Sequence, residues 1–277
     1  MNAPLTSPVE SAPQAPAPVV DFRGVTVSFD GHPVLNDISF SVAHGETRIL
    51  LGPAGVGKSV LLKAANGLIR PDTGCVNLFG EPISWLPERQ LFSVRSRTGM
   101  VFQEGALFDS LSVRDNVAYQ LIQEQVADEE IDERVRIALR FVGLEETFSL
   151  FPSSLSGGMR RRVAIARALI HYPELLLYDS PTGGLDPVTS TTIIELIVKQ
   201  RDVYKTPSLL VTHRLQDAFT LCTHRFDQEK SSMVPLPQGE TDPGTTFLML
   251  NEGKLIFDGS LHELLHSKDE FVREFLE

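Results

Sequence analysis

Gly52-Pro53-Ala54-Gly55-Val56-Gly57-Lys58-Ser59 is the stretch that decides the fold. Its spacing, G-x-x-x-x-G-K-[ST], is that of a backbone loop that closes around phosphate. The glycines let N–H groups approach phosphate oxygens without a Cβ in the way. Lys58 is placed to reach the β and γ phosphates, and the Ser59 hydroxyl to ligate Mg²⁺. A Gly-rich turn with no ligand is the bland alternative, and the flanks argue against it. Ile49, Leu50 and Leu51 form a short apolar run before the loop. After it, Val60, Leu61, Ala64, Ala65 and Leu68 recur at helical spacing, with Gly67 as a stop. A helix starting there aims its positive end at the same anion. The candidate nucleotide contacts are therefore Gly52, Pro53, Ala54, Gly55, Val56, Gly57, Lys58, Ser59 and Val60.

Outward from this loop the chain alternates strands and helices. Leu175 to Tyr178 and Leu209 to Val211 are apolar runs of buried-strand type. Helical patterns at 158–171 and 187–204 separate them, which predicts a parallel sheet covered on both faces. Ahead of the loop, Val25, Val27 and Phe29 alternate as in a strand, Asp30-Gly31 signals a hairpin turn, and Val34 to Val42 reads as a second strand. These predict an antiparallel edge. Between Leu111 and Pro152 the strands give way to helical patterns at 114–125 and 129–142, a helical lobe inserted into the α/β core. The acids Asp128, Glu129, Glu130, Asp132 and Glu133 read as a solvated first turn that complements the helix N-terminus. Residues 226–245 are polar and carry Pro235, Pro237 and Pro243, a long and mobile connection ahead of the strand-like run Phe247 to Leu250. Residues 1–19, with five prolines among Ala and Ser, cannot bury a core and read as a disordered tail.

Composition excludes several classes. The 277 residues are 42% hydrophobic and 22% charged, as in an ordinary globular chain. No run reaches the about 18–20 apolar residues of a membrane span, and the N-terminus lacks the basic start and apolar core of a signal peptide. A cytosolic location is expected. The net charge of −11 opposes nucleic-acid binding and direct adhesion to anionic lipid. Any membrane link should run through a protein partner. Cys75 and Cys222 are too few for a disulfide framework and read as buried small residues.

Two further motifs carry chemistry. Leu175-Leu176-Leu177-Tyr178-Asp179 is an apolar strand that delivers one carboxylate to its tip, where it suits a Mg²⁺ contact. Leu155-Ser156-Gly157-Gly158-Met159 precedes a helix carrying Arg160, Arg161, Arg162 and Arg167. Ser156 and the two glycines open a helix N-terminus, a second anion site. An ordinary capped helix is the bland reading of that turn. The arginines read as a solvated face, some pairing with neighbouring acids. A second phosphate-ready site in one domain suggests a nucleotide shared between two copies.

In this order the motifs resemble the ATPase subunit of ABC transporters over about residues 20–277. The set comprises the loop at 52–59, Gln103 in Val-Phe-Gln-Glu, Ser156-Gly157-Gly158, Asp179, Leu185-Asp186 and His213 in Val-Thr-His. The resemblance implies an α/β P-loop NTPase fold, an ABC-type nucleotide-binding domain with an antiparallel β edge and an inserted helical subdomain at about 104–160. It implies ATP and Mg²⁺ as cofactors, a homodimer, and integral membrane permease partners. It places Phe29 on the adenine, Gln103 at Mg²⁺ and the attacking water, His213 at the γ-phosphate, and Asp186 in the link between the two sites. Each has a bland alternative: Phe29 in the core, Gln103 and His213 as loop polars, Asp186 as the cap of the next helix. The segments 102–111 and 113–118, with Ser156 to Arg162 and the ending Phe271 to Leu276, further resemble the ATPases of MCE-type lipid transporters, which include the Mla phospholipid system. That likeness implies an MCE-type lipid-binding partner and the cytoplasmic face of an inner membrane.

One position departs from the family. Where its members carry Glu after the strand-end Asp, this chain has Ser180. A hydroxyl cannot take a proton near neutral pH as a carboxylate can. Loss of a general base costs about 10² to 10⁴ in rate. Either hydrolysis is slow, or Asp186, Gln103 or His213 holds the water, or ATP acts mainly as a closing ligand. Phosphoryl transfer rests largely on positioning, which favours an ATPase. The alternative is a regulatory ATP-binding subunit with little hydrolysis.

Overall fold

The computed structural model describes residues 17–277. Of the tail read at 1–19, residues 1–16 lie outside the described part. Val19 is already buried and donates its N–H to Val42 O at 2.8 Å, so the folded part starts ahead of Val20.

The element order follows the alternation in the sequence. β1 (Val20–Phe29) and β2 (His32–Val42) form a hairpin across Asp30-Gly31, and β3 (Thr47–Leu51) runs into α1 (Lys58–Ala65). β4 (Thr73–Leu78), β5 (Glu81–Pro82), α2 (Glu88–Arg95) and β6 (Thr98–Val101) follow. The helical lobe holds α3 (Val113–Gln123), α4 (Asp128–Phe141) and α5 (Gly157–Leu169). The core resumes with β7 (Leu175–Asp179), α6 (Pro187–Tyr204), β8 (Ser208–Val211) and α7 (Leu215–Thr223). A hairpin of β9 (His224–Asp227) and β10 (Ser232–Pro235) precedes β11 (Thr245–Asn251), β12 (Lys254–Gly259), α8 (Leu261–Leu265) and α9 (Glu270–Leu276).

The central sheet has the order β12-β11-β3-β8-β7-β6, parallel from β11 to β6 with β12 antiparallel at one edge. Every residue of β3, β7 and β8 is buried, which is why these strands read as apolar runs rather than alternating ones. Their two-residue period splits the interior into two cores. Ile49, Leu51, Leu176, Tyr178, Leu210 and Met249 face the helices of the lobe and C-terminal half. Leu50, Leu175, Leu177, Leu209, Val211 and Leu248 face α1 and the antiparallel sheet β2-β1-β4-β5.

Within the lobe, Val117 and Leu121 of α3 pack with Val135 and Leu139 of α4 and Val163 of α5. Asn116 is fully buried there. Its amide donates to Phe108 O, Leu111 O and Ser112 O at 3.0 Å each and accepts from Phe108 N at 2.7 Å, pinning the segment after Gln103. The acid cluster at the start of α4 is not wholly solvated, because Arg114 bonds Asp128 at 3.1 Å and Asp132 at 2.8 Å.

Residues 226–245 are not a structureless loop. The β9–β10 hairpin is tethered to α6: Asp202 accepts from Phe226 N at 2.7 Å and Glu195 from Met233 N at 2.9 Å. Arg201, buried, donates to His224 O at 2.8 Å and pairs with Asp202 at 2.7 Å and Asp242 at 3.5 Å. Prolines at 235 and 237 mask the alternation in the sequence. Cys222 is buried as expected, whereas Cys75 is only partly buried and bonds Asn77 Oδ1 at 3.6 Å.

Candidate functional site

The loop 52–57 joins the C-terminal end of the central strand β3 to α1, the place where open α/β sheets bind ligands. Its shape requires glycine. Gly52 has φ +148°, and a Cβ there would meet Leu250 O at 2.4 Å; Gly57 has φ +108°, and its Cβ would meet Val34 O at 2.9 Å. Among the described residues, the N–H groups of Gly55, Gly57, Lys58 and Ser59 join no backbone hydrogen bond outside the regular elements. They form a cradle of free donors that suits an anion. Lys58 is buried, and its ammonium donates to Gly52 O at 2.7 Å and Pro53 O at 2.5 Å. Burial pushes its pKa down, and the nearby Asp179 opposes that shift.

β7 delivers Asp179 beside the loop. Ser59 Oγ donates to Asp179 Oδ1 at 3.0 Å. Two hard oxygens at that spacing, next to a phosphate cradle, are a donor set that suits Mg²⁺ with phosphate oxygens and water. A cleft of about 310 Å³ opens here. It is lined by Ala54, Gly55, Gly57, Lys58, Ser59 and Val60, and across from them by Gln103, Ser180 and His213. Ser180 is buried and adopts φ +45°, its N–H bonded to Val211 O at 2.9 Å, which fixes the turn at the strand tip. The fold thus gathers residues from positions 34 to 213 around one space.

Several candidates lie elsewhere. Phe29 does not line the cleft; it is 47% exposed at the end of β1, and Val34 of the neighbouring strand lines the cleft instead. Ser156, Gly157, Gly158 and Asp186 do not line it either. Ser156 caps α5 by accepting from Met159 N at 3.2 Å. Asp186 caps α6 by accepting from Thr189 N at 3.0 Å, and hydrogen bonds from Thr189 hold its exposed carboxyl below the usual range.

The expectation for the arginines is corrected. Arg160, Arg161, Arg162 and Arg167 bind backbone carbonyls rather than acids: Leu155, then Phe102, Ser180 and Gly183, then Val142 and Gly143, then Gly105 and Ala106. A second buried set escaped the sequence reading. Thr182 donates to Asp217, and Arg214 donates to Ser190 Oγ at 2.8 Å and pairs with Asp217 at 3.5 Å. It ties the segment after Ser180 to the one after His213. Nothing in the local sequence marks it.

A phosphate cradle at a β–α turn, with a carboxylate at the tip of a parallel strand one place further along the sheet, defines a P-loop nucleotide-binding protein. A family profile described as ABC transporter matches residues 35–183. The chain belongs to that family and is an ATP-binding ATPase subunit of it. It is 38% identical over 266 residues to protein TRIGALACTOSYLDIACYLGLYCEROL 3, chloroplastic, of Arabidopsis thaliana, with 93% of this chain and 73% of that protein covered. It is 32% identical over 265 residues to the intermembrane phospholipid transport system ATP-binding protein MlaF of Escherichia coli K12, covering 95% of this chain and 90% of that one. A solved dimeric ATP-binding cassette, in a post-hydrolysis state with ADP and Pi, superposes with TM-score 0.73 at 27% identity, covering 87% and 98%.

Proposed function

We propose that the chain works as a homodimer that binds two Mg·ATP and drives a membrane permease for phospholipid at the cytoplasmic face of an inner membrane, together with an MCE-type lipid-binding protein. The observation that carries the nucleotide reading is the cleft itself, where the cradle of free N–H groups, Lys58, and the Ser59–Asp179 pair meet Gln103, Ser180 and His213. The dimer is supported by the place of Ser156, Gly157 and Gly158, which open a helix outside this cleft, and by the dimeric solved relative. The permease is a separate chain in this reading, since no described helix is long and apolar enough to cross a membrane. Phospholipid as cargo is supported by the likeness to MlaF.

Bound Mg·ATP supplies the γ-phosphoryl group for transfer to water. Lys58 would swing from the carbonyls of Gly52 and Pro53 to phosphate oxygens. Ser59, Asp179 and Gln103 would hold the metal, and His213 would contact the γ-phosphate. Phe29, exposed at the end of β1, would close on the adenine. Asp186 and the Ser156–Gly158 turn would meet the second copy. With no carboxylate at position 180, orienting water falls to Gln103, His213 and the Ser180 hydroxyl, and positioning carries the rate. Phosphate release by the purified chain tests the reading, alongside Ser180→Glu. The parent should turn over, and the variant should gain about 10²-fold or more. A parent that binds Mg·ATP but releases no phosphate would leave the regulatory alternative standing. A pull-down from detergent-solubilised membranes should bring a permease with bound phospholipid; its absence would remove the lipid assignment.

A further inference from the structure

Arg161 is a buried cation whose hydrogen bonds, among the described residues, all go to backbone carbonyls. Nη1 donates to Phe102 O at 3.2 Å and Ser180 O at 3.4 Å, and Nη2 donates to Gly183 O at 3.2 Å. These carbonyls come from two stretches far apart in sequence, one at Phe102 and one holding Ser180 and Gly183. Phe102 precedes Gln103, Ser180 occupies the place of the family's carboxylate, and Gly183 leads into Leu185-Asp186. The segments also touch: a Cβ on Gly183 would lie 3.5 Å from Gln103 Nε2. The planar fork of arginine can fan donors to three acceptors at once, which a lysine cannot do as well. Two of the carbonyls already close small turns, since Phe102 O accepts from Gly105 N and Ser180 O from Gly183 N, both at 2.9 Å. Arg161 sits on α5, one turn beyond the Ser156–Gly158 opening.

We propose that Arg161 is a positioning residue for hydrolysis: it holds the Gln103 loop, the Ser180 turn and the Gly183–Asp186 turn in one register with the helix that presents Ser156–Gly158 to the second copy. The proposal rests on the ATPase reading and adds a route between the two sites. Movement of α5 on sealing the second copy's nucleotide is passed through one guanidinium to the water-holding groups of its own cleft. Burial disfavours the charge, with Glu104 and Asp179 opposing, but a guanidinium stays protonated. The charge therefore adds a fixed positive field at the Ser180 turn, on the wall of the cleft.

Full-length Arg161→Gln and Arg161→Lys test it. In Arg161→Gln, kcat should fall about 10- to 100-fold, the loss expected from misplaced groups. KM for ATP should stay within about threefold, because the cradle is untouched. The Hill coefficient should move towards one, and Arg161→Lys should recover part of kcat. Hydrogen exchange of the nucleotide-free chain is the readout independent of turnover: the amides of Gly105 and Gly183 should exchange faster in Arg161→Gln while β3 and β8 stay protected. Unchanged kcat and exchange would overturn the proposal. So would kcat and KM worsening together with a lowered Tm and faster exchange throughout, the mark of a purely structural role. A parent without phosphate release would instead strike the ATPase reading, and the Gly105 and Gly183 amides would still decide whether Arg161 joins the turns.

Discussion

Gly157 and Gly158 open α5 side by side, yet the structure gives their substitution opposite outcomes. A Cβ on Gly158 would lie 2.3 Å from Thr189 Cγ2, far inside contact distance. On Gly157 the nearest atom would be Leu185 Cδ2 at 3.8 Å, an ordinary contact. Thr189 cannot yield freely, because its β-branched side chain is stiff at χ1 and its hydroxyl bonds the Asp186 carboxyl in the first turn of α6. Gly158→Ala is therefore an overpacking change, worth about 2 kcal/mol within the usual range of about 1–3. In a domain of this size that is about 4–8 °C in Tm. Gly157→Ala should leave stability within about 0.5 kcal/mol. Both should lose phosphate release while retaining binding of a fluorescent ATP analogue: Gly158→Ala because α5 is displaced, Gly157→Ala because the added methyl meets the second copy. Thr189→Ser removes the offending methyl. In the double variant Gly158→Ala/Thr189→Ser both Tm and turnover should recover, with a coupling of at least about 1 kcal/mol in the cycle. If Gly158→Ala melts with the parent, the steric argument fails. If the double variant regains Tm but not turnover, Thr189 is not the reason for glycine at 158.

Other expectations follow from buried polar groups. Burial lowers the Lys58 pKa below its ordinary 10.5. Between that lowered value and 10.5 the unfolded chain binds more protons than the folded one, so stability rises with pH across this window and the group's penalty is constant below it. Urea unfolding of the parent minus that of Lys58→Met should show this rise, and a flat difference would contradict the burial. Arg201→Met strips Asp202 and Asp242 of their buried cation and should cost about 3–5 kcal/mol by urea unfolding. The amide of Phe226 should exchange faster in that variant. Thr182→Val leaves the buried Asp217 without its hydroxyl donor, a loss of about 1–3 kcal/mol. Thr182→Ser should melt near the parent.

What could be read from the sequence was local. A β–loop–α turn around phosphate needs contiguous glycines, a lysine and a serine, so residues 52–59 disclose their backbone shape and their chemistry together. Leu175 to Tyr178 and Leu209 to Val211 were legible because a strand buried on both faces must be apolar throughout. Thr98–Val101 is also a central-sheet strand, but its threonine and glycine hide it; Gly99 is needed because a Cβ would meet Ala168 O at 2.4 Å. The β9–β10 hairpin was hidden for a related reason, as only Phe226 and Met233 turn an apolar side to the core and the rest of its hold on α6 runs through side chains of residues 195 and 202.

The site was half visible for the same reason. Lys58, Ser59 and Asp179 announce themselves by the residues next to them, and the fold only had to set β3 and β7 on either side of β8 in one parallel sheet. Arg161 in a run of three arginines is indistinguishable in sequence from its half-buried neighbours Arg160 and Arg162. Only the order β3-β8-β7-β6, which stacks the tips of these strands side by side, buries it among carbonyls 59, 19 and 22 residues away. The same packing sets Phe29 outside the cleft and Val34 on its wall, a difference of one strand turn that no local pattern carries. Chain chemistry determined which groups can grip a triphosphate, because phosphate binding is a property of a short backbone segment. Tertiary structure decided which groups stand opposite it, because that depends on contacts between residues the sequence keeps far apart.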